Sequence, residues 1–335
     1  MVKTIFVSGA TGFIAQHIVQ QLLQLGYIVI GSVRSKGKGE DLQKLINSPN
    51  FSYVVIPNLV VAGAFDEALK AHPEIKVFIH TASPVDFEAT DFKNEVLDPA
   101  IEGTKNVLSA IKTFGTNIET LVYTSSVIAI IDILVKLPRP IQYNEDSWNP
   151  ITYEESFKDP YTAYGGSKTF AERAVWDFVK NEKPKFTVTT IHPTYVLGPQ
   201  AYEVKNKTQL NFSADISGKL LNLKPSDEIP EFFGDYIDVR DTAKAHIFAF
   251  EHPEKSNGER FLLRDCYFTN DSLVELIRKN FPQLQLPKGD LEKSAQLIEE
   301  KALRLDPSKT NSILQFKYIP LEQSIIDSVQ QILEC

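Results

Sequence analysis

Tyr164 and Lys168 stand four residues apart in the run Tyr164-Gly165-Gly166-Ser167-Lys168. On a helix starting after Pro160, that spacing puts the phenol and the ammonium on one face, about one turn apart. Ser125 and Ser126 follow the apolar run Leu121-Val122-Tyr123-Thr124, which reads as a buried strand. They therefore fall at its carboxyl end, where ligands bind in open α/β sheets. A hydroxyl, a phenol and an ammonium gathered there are suited to stabilising and protonating an oxygen on which negative charge builds as a carbonyl accepts a hydride. Tyr164 is the expected general acid, its phenol drawn down from roughly 10 by the Lys168 cation. Lys168 is also expected to reach the nicotinamide ribose hydroxyls, and Ser126 to donate to the carbonyl oxygen. Two adjacent helical glycines cost roughly 1 kcal/mol each relative to alanine, so Gly165 and Gly166 are expected to let backbone approach a ligand.

A hydride needs a carrier, and the first turn of the chain supplies a place for one. Gly9-Ala10-Thr11-Gly12-Phe13-Ile14-Ala15 lies between an apolar strand and an amphipathic helix. Gly9 permits the tight turn, Gly12 lets backbone approach a pyrophosphate, Ala15 keeps the helix close to the sheet, and the helix start offers free N–H groups to the anion. Selectivity for NAD usually rests on an acidic residue about 20 positions downstream. Here the second strand ends Gly31-Ser32-Val33-Arg34-Ser35-Lys36-Gly37-Lys38, without a carboxylate. Arg34 can face a 2′-phosphate with its planar fork, and Lys36 or Lys38 can add a point charge. NADPH/NADP+ is the expected cofactor.

The elements that must hold these residues read as alternating strands and helices. Strands are expected at 4–7, 27–33, 51–56, 76–80, 120–123 and 186–191, with helices near 12–25, 42–46, 64–71 and 94–113. That order predicts a Rossmann-type doubly wound parallel sheet over residues 1–192, completed by part of 235–250. Residues 193–335 are expected to form mainly a smaller substrate-binding domain, loop-rich at first, with helical patterns near 241–250 and 273–279.

Composition narrows the partners. With 43 % hydrophobic residues the chain is globular, and its net charge of −8 argues against neutralising nucleic-acid phosphates. The most apolar stretch, 127–135, is interrupted by Asp132 and falls short of the roughly 20 residues of a membrane span. Only Cys266 and Cys335 are present, so a reducing, cytoplasmic setting is expected. A small molecule is the expected partner, with no membrane and no metal; a homodimer is compatible with all of this. His80 and His192 lack the partner spacing of a metal site or a nucleophilic triad, and an N-cap and a local ion pair explain Asp238, Arg240 and Asp241 as well as function does.

Several motifs together resemble the extended short-chain dehydrogenase/reductase family: 6–17, His80-Thr-Ala-Ser-Pro84, Tyr123-Thr-Ser-Ser126, Tyr164 to Lys168, Tyr195-Val-Leu-Gly-Pro-Gln200 and 236–246. Within it, the chain specifically resembles the yeast NADPH-dependent methylglyoxal reductases, relatives of plant dihydroflavonol reductases. The resemblance implies Ser126, Tyr164 and Lys168 as the catalytic set, Ser125 being the less usual serine. It implies cofactor contacts from Gly9, Ala10, Thr11, Gly12, Phe13 and Ile14, and from Arg34, Lys38, Ala82, Ser83, Val196 and Ser213, beside Tyr164 and Lys168. Asn58 replaces the aspartate that the family commonly sets against the adenine amino group; its carbonyl can still accept.

The implied activity is NADPH-dependent reduction of aldehydes and ketones: methylglyoxal, aliphatic aldehydes, diketones, hydrophobic ketones and 2-oxo esters. Val85, Phe87, Val127, Ile131 and Tyr195 are expected to line an apolar substrate pocket. The alternatives are an NAD(P)-dependent sugar-nucleotide epimerase or dehydratase, against which Arg34 counts, and a catalytically silent NADP-sensing protein, against which the intact Tyr164/Lys168 pair counts.

Overall fold

The computed structural model describes residues 2–83, 89–135, 141–204 and 212–334, with the side chains of 212–215 left aside. Twelve strands occur among them: β1 (Thr4–Ser8), β2 (Ile28–Val33), β3 (Phe51–Val55), β4 (Ile75–His80), β5 (Thr120–Thr124), β6 (Gln142–Tyr143), β7 (Thr187–Pro193), β8 (Tyr195–Leu197), β9 (Phe233–Asp238), β10 (Arg260–Leu263), β11 (Cys266–Thr269) and β12 (Arg304–Leu305). Seven of them form one parallel sheet in the order β10-β7-β5-β4-β1-β2-β3. Parallel strands need helical crossovers and are covered on both faces, which explains why β1 and β5 are apolar or buried along their whole length.

The crossovers are α1 (Phe13–Gln24), α2 (Lys36–Ile46), α3 (Asp66–Ala71), α4 (Asp98–Phe114) and α5 (Pro160–Glu182). One face of the sheet packs on α1 through Ile18, Val19 and Leu22, with Ala243 and Ile247 of a later helix. The opposite face packs on α4 and α5 through Val107, Ile111, Ala171 and Val175. The strand order reverses direction between β1 and β4, so their carboxyl ends open the crevice in which doubly wound folds bind ligands.

The parallel sheet matches the expected architecture, with two differences. Its seventh strand, β10, comes from residues 260–263, beyond the 235–250 stretch read from the sequence. A three-residue apolar run, Phe261 to Leu263, soon after Gly258, whose φ is +83°, is too short to declare itself by periodicity. Second, the stretch after Pro193 is more regular than the expected loops. β8, β9 and β11 make a three-stranded sheet, and the helices α6 (Phe212–Leu220) and Asn270–Asn280 pack against it. Only Thr194 separates β7 of the large sheet from β8 of the small one, and both its backbone N–H and its hydroxyl donate to Leu263 O. β9 runs directly into α7 (Val239–Glu251), which returns to the large sheet beside α1.

No helix among the described residues is long and apolar enough to cross a membrane. No group of three or more His, Cys, Asp or Glu among them could hold a metal ion.

Candidate active site

The crevice begins at Gly9, which takes φ +65° as β1 ends. A Cβ there would stand 3.1 Å from Ala82, so the two strand-end loops touch backbone to backbone. Ser8 fixes that contact: its Oγ accepts from the N–H groups of Thr81 and Ala82, both at 3.0 Å, and lies 2.8 Å from His80 Nδ1. Burial pushes His80 down to about 3, with the Lys168 cation adding to the effect, so the imidazole is neutral and its Nδ1 takes the Ser8 proton. His80 is thus a structural residue, held among Phe65, Phe78 and Tyr123.

Gly12 is the N-cap of α1 and brings no side-chain cap, and the first turn has no acidic residue. The N–H groups of that turn face the crevice end without an intrahelical acceptor. Ala15 is buried against the sheet as its size requires. On the other side of β1, Ser32 Oγ accepts from Gly9 N at 3.0 Å. Arg34 is exposed where β2 ends, and α2 starts earlier than expected, at Lys36, because Ser35 caps it by accepting from Lys38 N. Arg34 and Lys38 are therefore set around a helix start, and Lys36 is paired with Glu40 at 3.6 Å. Asn58 is exposed and its Oδ1 accepts from Val60 N at 2.9 Å. A close backbone turn, an uncapped helix start and a basic second-strand end fit a phosphorylated dinucleotide.

At the carboxyl end of β5, Ser125 and Ser126 are both buried. Ser126 caps the short turn Val127–Ala129 by accepting from Ile128 N and also hydrogen-bonds Tyr164. α5 opens with a capping box, Asp159 accepting from Thr162 N at 2.9 Å and Thr162 Oγ1 accepting from Asp159 N at 3.1 Å. That start sets the phase that turns Tyr164 and Lys168 inward. Lys168 Nζ lies 6.0 Å from the Tyr164 ring centroid. Hydroxyl, phenol and ammonium are thus brought together as their spacing predicts.

Two expectations about this set need correction. Burial raises the Tyr164 phenol above its usual value, the Ser126 hydrogen bond only opposing the shift, whereas the four-residue spacing alone suggests that Lys168 lowers it. Lys168 instead is itself brought down to about 8 by burial, with Glu172 resisting. The two groups share one largely enclosed site, Lys168 buried and Tyr164 partly so, where desolvation disfavours both charged forms. The adjacent glycines also serve packing inside the chain. A Cβ on Gly165 would stand 2.4 Å from Ile133 Cδ1, and one on Gly166 would stand 2.1 Å from Ser156 Oγ.

Val127 and Tyr164 pack against an apolar cluster in which Ile131 is buried. Tyr195 is 39 % exposed and lies edge-on to Phe232 and Phe268, its ring filling the space over Gly234. Val196 is buried, paired to Ile237 across β8 and β9. Ser83 follows Ala82 at the end of β4, partly exposed. Val85 and Phe87 lie outside the described residues, as does the Ser213 side chain. Sequence reasoning missed Glu172, fully buried one turn beyond Lys168. The signal was the third member of the row 164, 168, 172. It also missed the pair of Arg264 with Asp235, 2.9 Å apart, whose aspartate burial raises to about 6 against the pull of Arg264.

Asp238 and Arg240 form a local structure, as one of their two readings held: Asp238 caps α7 and takes the Arg240 guanidinium on both oxygens, at 2.9 and 2.8 Å. Cys266 is half-buried, and burial pushes its thiol up to about 12, which leaves no activated nucleophile.

A parallel sheet in this order, with the glycine turn at its reversal point and the Ser126, Tyr164 and Lys168 side chains beside it, defines an extended short-chain dehydrogenase/reductase. The sequence profile of the 3-beta hydroxysteroid dehydrogenase/isomerase family matches residues 6–282, and the chain belongs to that family. A Candida albicans relative, named provisionally as an NADPH-dependent methylglyoxal reductase, is 49 % identical over 337 residues, 98 % of each chain. The crystal structure of Gre2 from Candida albicans with NADPH superposes with a TM-score of 0.94 at 46 % identity, covering 99 % of both chains. That of the yeast methylglyoxal/isovaleraldehyde reductase Gre2 with NADPH gives 0.92 at 40 % identity, over 99 % of this chain and 98 % of the other.

Proposed function

We propose that this protein is an NADPH-dependent carbonyl reductase acting on aldehydes and ketones. The observation that carries the reading is the Ser126–Tyr164 hydrogen bond with Lys168 beside it, at the strand end next to the Gly9/Ala82 contact. Relatives that align over the whole chain and are named for NADPH-dependent reduction support it. NADPH, when bound, supplies the hydride.

The chain's own residues do the rest. Gly9 to Ile14 would hold the pyrophosphate at the start of α1, Arg34 and Lys38 would hold the 2′-phosphate, and Ala82, Ser83 and Val196 would complete the cofactor cleft, with Asn58 toward the adenine. Lys168 orients the ribose. Ser126 donates to the substrate oxygen, and Tyr164, kept protonated by its burial, gives that oxygen its proton. The raised phenol favours the acid role, since it keeps the proton in place until negative charge develops nearby.

We assign the cofactor to residues 1–192 with the return through α7 and β10, and the substrate to the remaining C-terminal part. Val127, Ile131 and Tyr195 give the pocket an apolar lining, which favours aliphatic aldehydes, diketones, hydrophobic ketones and 2-oxo esters beside methylglyoxal. Each buried methylene gains about 0.8 kcal/mol, so kcat/KM should rise with chain length until the pocket is full; a flat series rejects the apolar pocket. Two cysteines without a disulfide framework support a cytoplasmic setting, and a homodimer, compatible with that setting, is checked by sedimentation. The decisive test is NADPH oxidation over a carbonyl panel: stoichiometric turnover supports the reductase, and its absence with every carbonyl rejects it.

A further inference from the structure

We infer that Glu172 is a positioning residue for this reaction, resting on the reductase reading above: its carboxylate clamps α5 to three neighbouring strands and so sets Tyr164 and Lys168 against Ser126. Glu172 follows Lys168 by four residues on α5, and its side chain is fully enclosed. An isolated buried carboxylate would be strongly disfavoured, so its partners must compensate. Its Oε2 accepts from Ser125 Oγ at 2.6 Å and lies 2.7 Å from His192 Nε2. Its Oε1 accepts from Arg260 Nε at 2.7 Å, Trp176 Nε1 at 3.1 Å and Thr190 Oγ1 at 3.4 Å.

Trp176 is on α5 itself; the other partners lie just after β5 (Ser125), on β7 (Thr190 and His192) and on β10 (Arg260), and these strands are neighbours in the large sheet. Ser125 is the residue before Ser126, so the clamp acts on the strand end that carries the expected hydrogen-bond donor. Arg260 is itself locked: its Nη1 donates to Glu145 O and Ser147 O, and its guanidinium stacks on Trp148 at 3.9 Å. The anchor is therefore rigid on the sheet side, while the helix side delivers Lys168 and Tyr164 one and two turns away.

Charge adds a second effect. Burial opposes ionisation of Glu172, but His192 and Arg260 outweigh it and hold the carboxyl well below the usual carboxylate range. Around Lys168, His80 faces from β4, Tyr123 lies on β5, and Tyr164 and Glu172 share α5; His192 and Arg260 lie beyond Glu172 on β7 and β10. Glu172 is the acidic group that resists the loss of the Lys168 proton. Replacing it by an isosteric neutral side chain should therefore ease deprotonation of Lys168.

The test compares Glu172→Gln and Ser125→Ala with the wild type, after NADPH-dependent turnover of the wild type has been measured. Absence of that turnover defeats the reductase reading itself, independently of either variant. Glu172→Gln is expected to lower kcat at least about tenfold, the lower end of effects from outer partners of site residues. NADPH Kd should stay within about twofold, and the alkaline limb of the kcat/KM profile should move to lower pH, since a neighbouring anion is lost. Ser125→Ala should lower kcat without moving that limb, because the charge remains. Hydrogen exchange, read without cofactor, should show less protection across Thr124–Val127 in both variants. A folded Glu172→Gln protein with wild-type kcat and pH profile overturns the inference, even if its Tm falls. Should Glu172→Gln fail to fold, Ser125→Ala decides alone: reduced kcat with lost protection supports the clamp, and wild-type values for both overturn it.

Discussion

Gly9 and Ala82 approach so closely that a single added methyl on Gly9 would lie 3.1 Å from both the Cα and the Cβ of Ala82. The contact joins the ends of β1 and β4 at the reversal point of the sheet, and the left-handed backbone of Gly9, φ +65°, is needed to make it.

Gly9→Ala therefore meets two penalties, the left-handed conformation at roughly 1–2 kcal/mol and the crowding against Ala82. The expected result is a lower Tm together with weaker NADPH binding, since the loop must shift where the pyrophosphate would lie. Fluorescence titration with NADPH checks it; unchanged Kd would show that the turn does not approach the cofactor.

Tyr164→Phe removes the expected proton donor while keeping the ring that packs on the cluster of Ile128, Ile131 and Ile133. Turnover should fall at least about 100-fold, the usual scale for loss of a general acid, with NADPH Kd near the wild-type value. Steady-state kinetics on any accepted carbonyl measures this, and wild-type kcat would remove Tyr164 from the mechanism.

Arg34→Asp replaces an exposed guanidinium at the start of α2 with a charge that repels a 2′-phosphate. NADPH should weaken by about 1.5–3 kcal/mol, the scale of a hydrogen bond to a charged group, and NADH far less. Comparable kcat/KM for NADH and NADPH in the wild type would already contradict the assignment.

The buried histidines predict acid sensitivity with a definite sign. His80 and His246 are pushed by burial to about 3 and about 4, while unfolding returns them toward 6.5. Between those values the unfolded chain binds more protons, so stability is lost as pH falls below 6.5 toward 4. His246 Nδ1–H donates to Thr242 O, leaving Nε2 to accept from Thr124 Oγ1, a pairing that a second proton would break. Asp235, held near 6, contributes with the opposite sign over the same window, so the check is a comparison: His246→Gln should lose less unfolding free energy than the wild type between pH 7 and pH 5, and the same loss in both would show that the His246 imidazole is not held neutral.

The sheet and the shared face of Tyr164 and Lys168 were legible in the sequence because both depend on short periods. Apolar runs such as Leu121 to Thr124 announce buried parallel strands, and a four-residue interval places Tyr164 over Lys168 whatever surrounds them. What escaped depends on contacts distant in the chain. Glu172 looks like an ordinary charged position on a helix until Arg260, 88 residues later, is brought beside it. The glycines at 165 and 166 carried a real signal, close approach, but its object is Ile133 and Ser156, which no local pattern identifies. The phenol shift likewise follows from enclosure, a property of the assembled core, and not from the neighbouring lysine alone.

The one-residue joint at Thr194 limits how this protein can vary. Side chains alternate along a strand, so one residue inserted between Pro193 and Tyr195 would rotate Tyr195 to the opposite face and carry its ring away from Phe232 and Phe268. It would also break the tether to Leu263. Change at this joint is therefore limited to exchange of one side chain for another, because any added residue turns Tyr195 over.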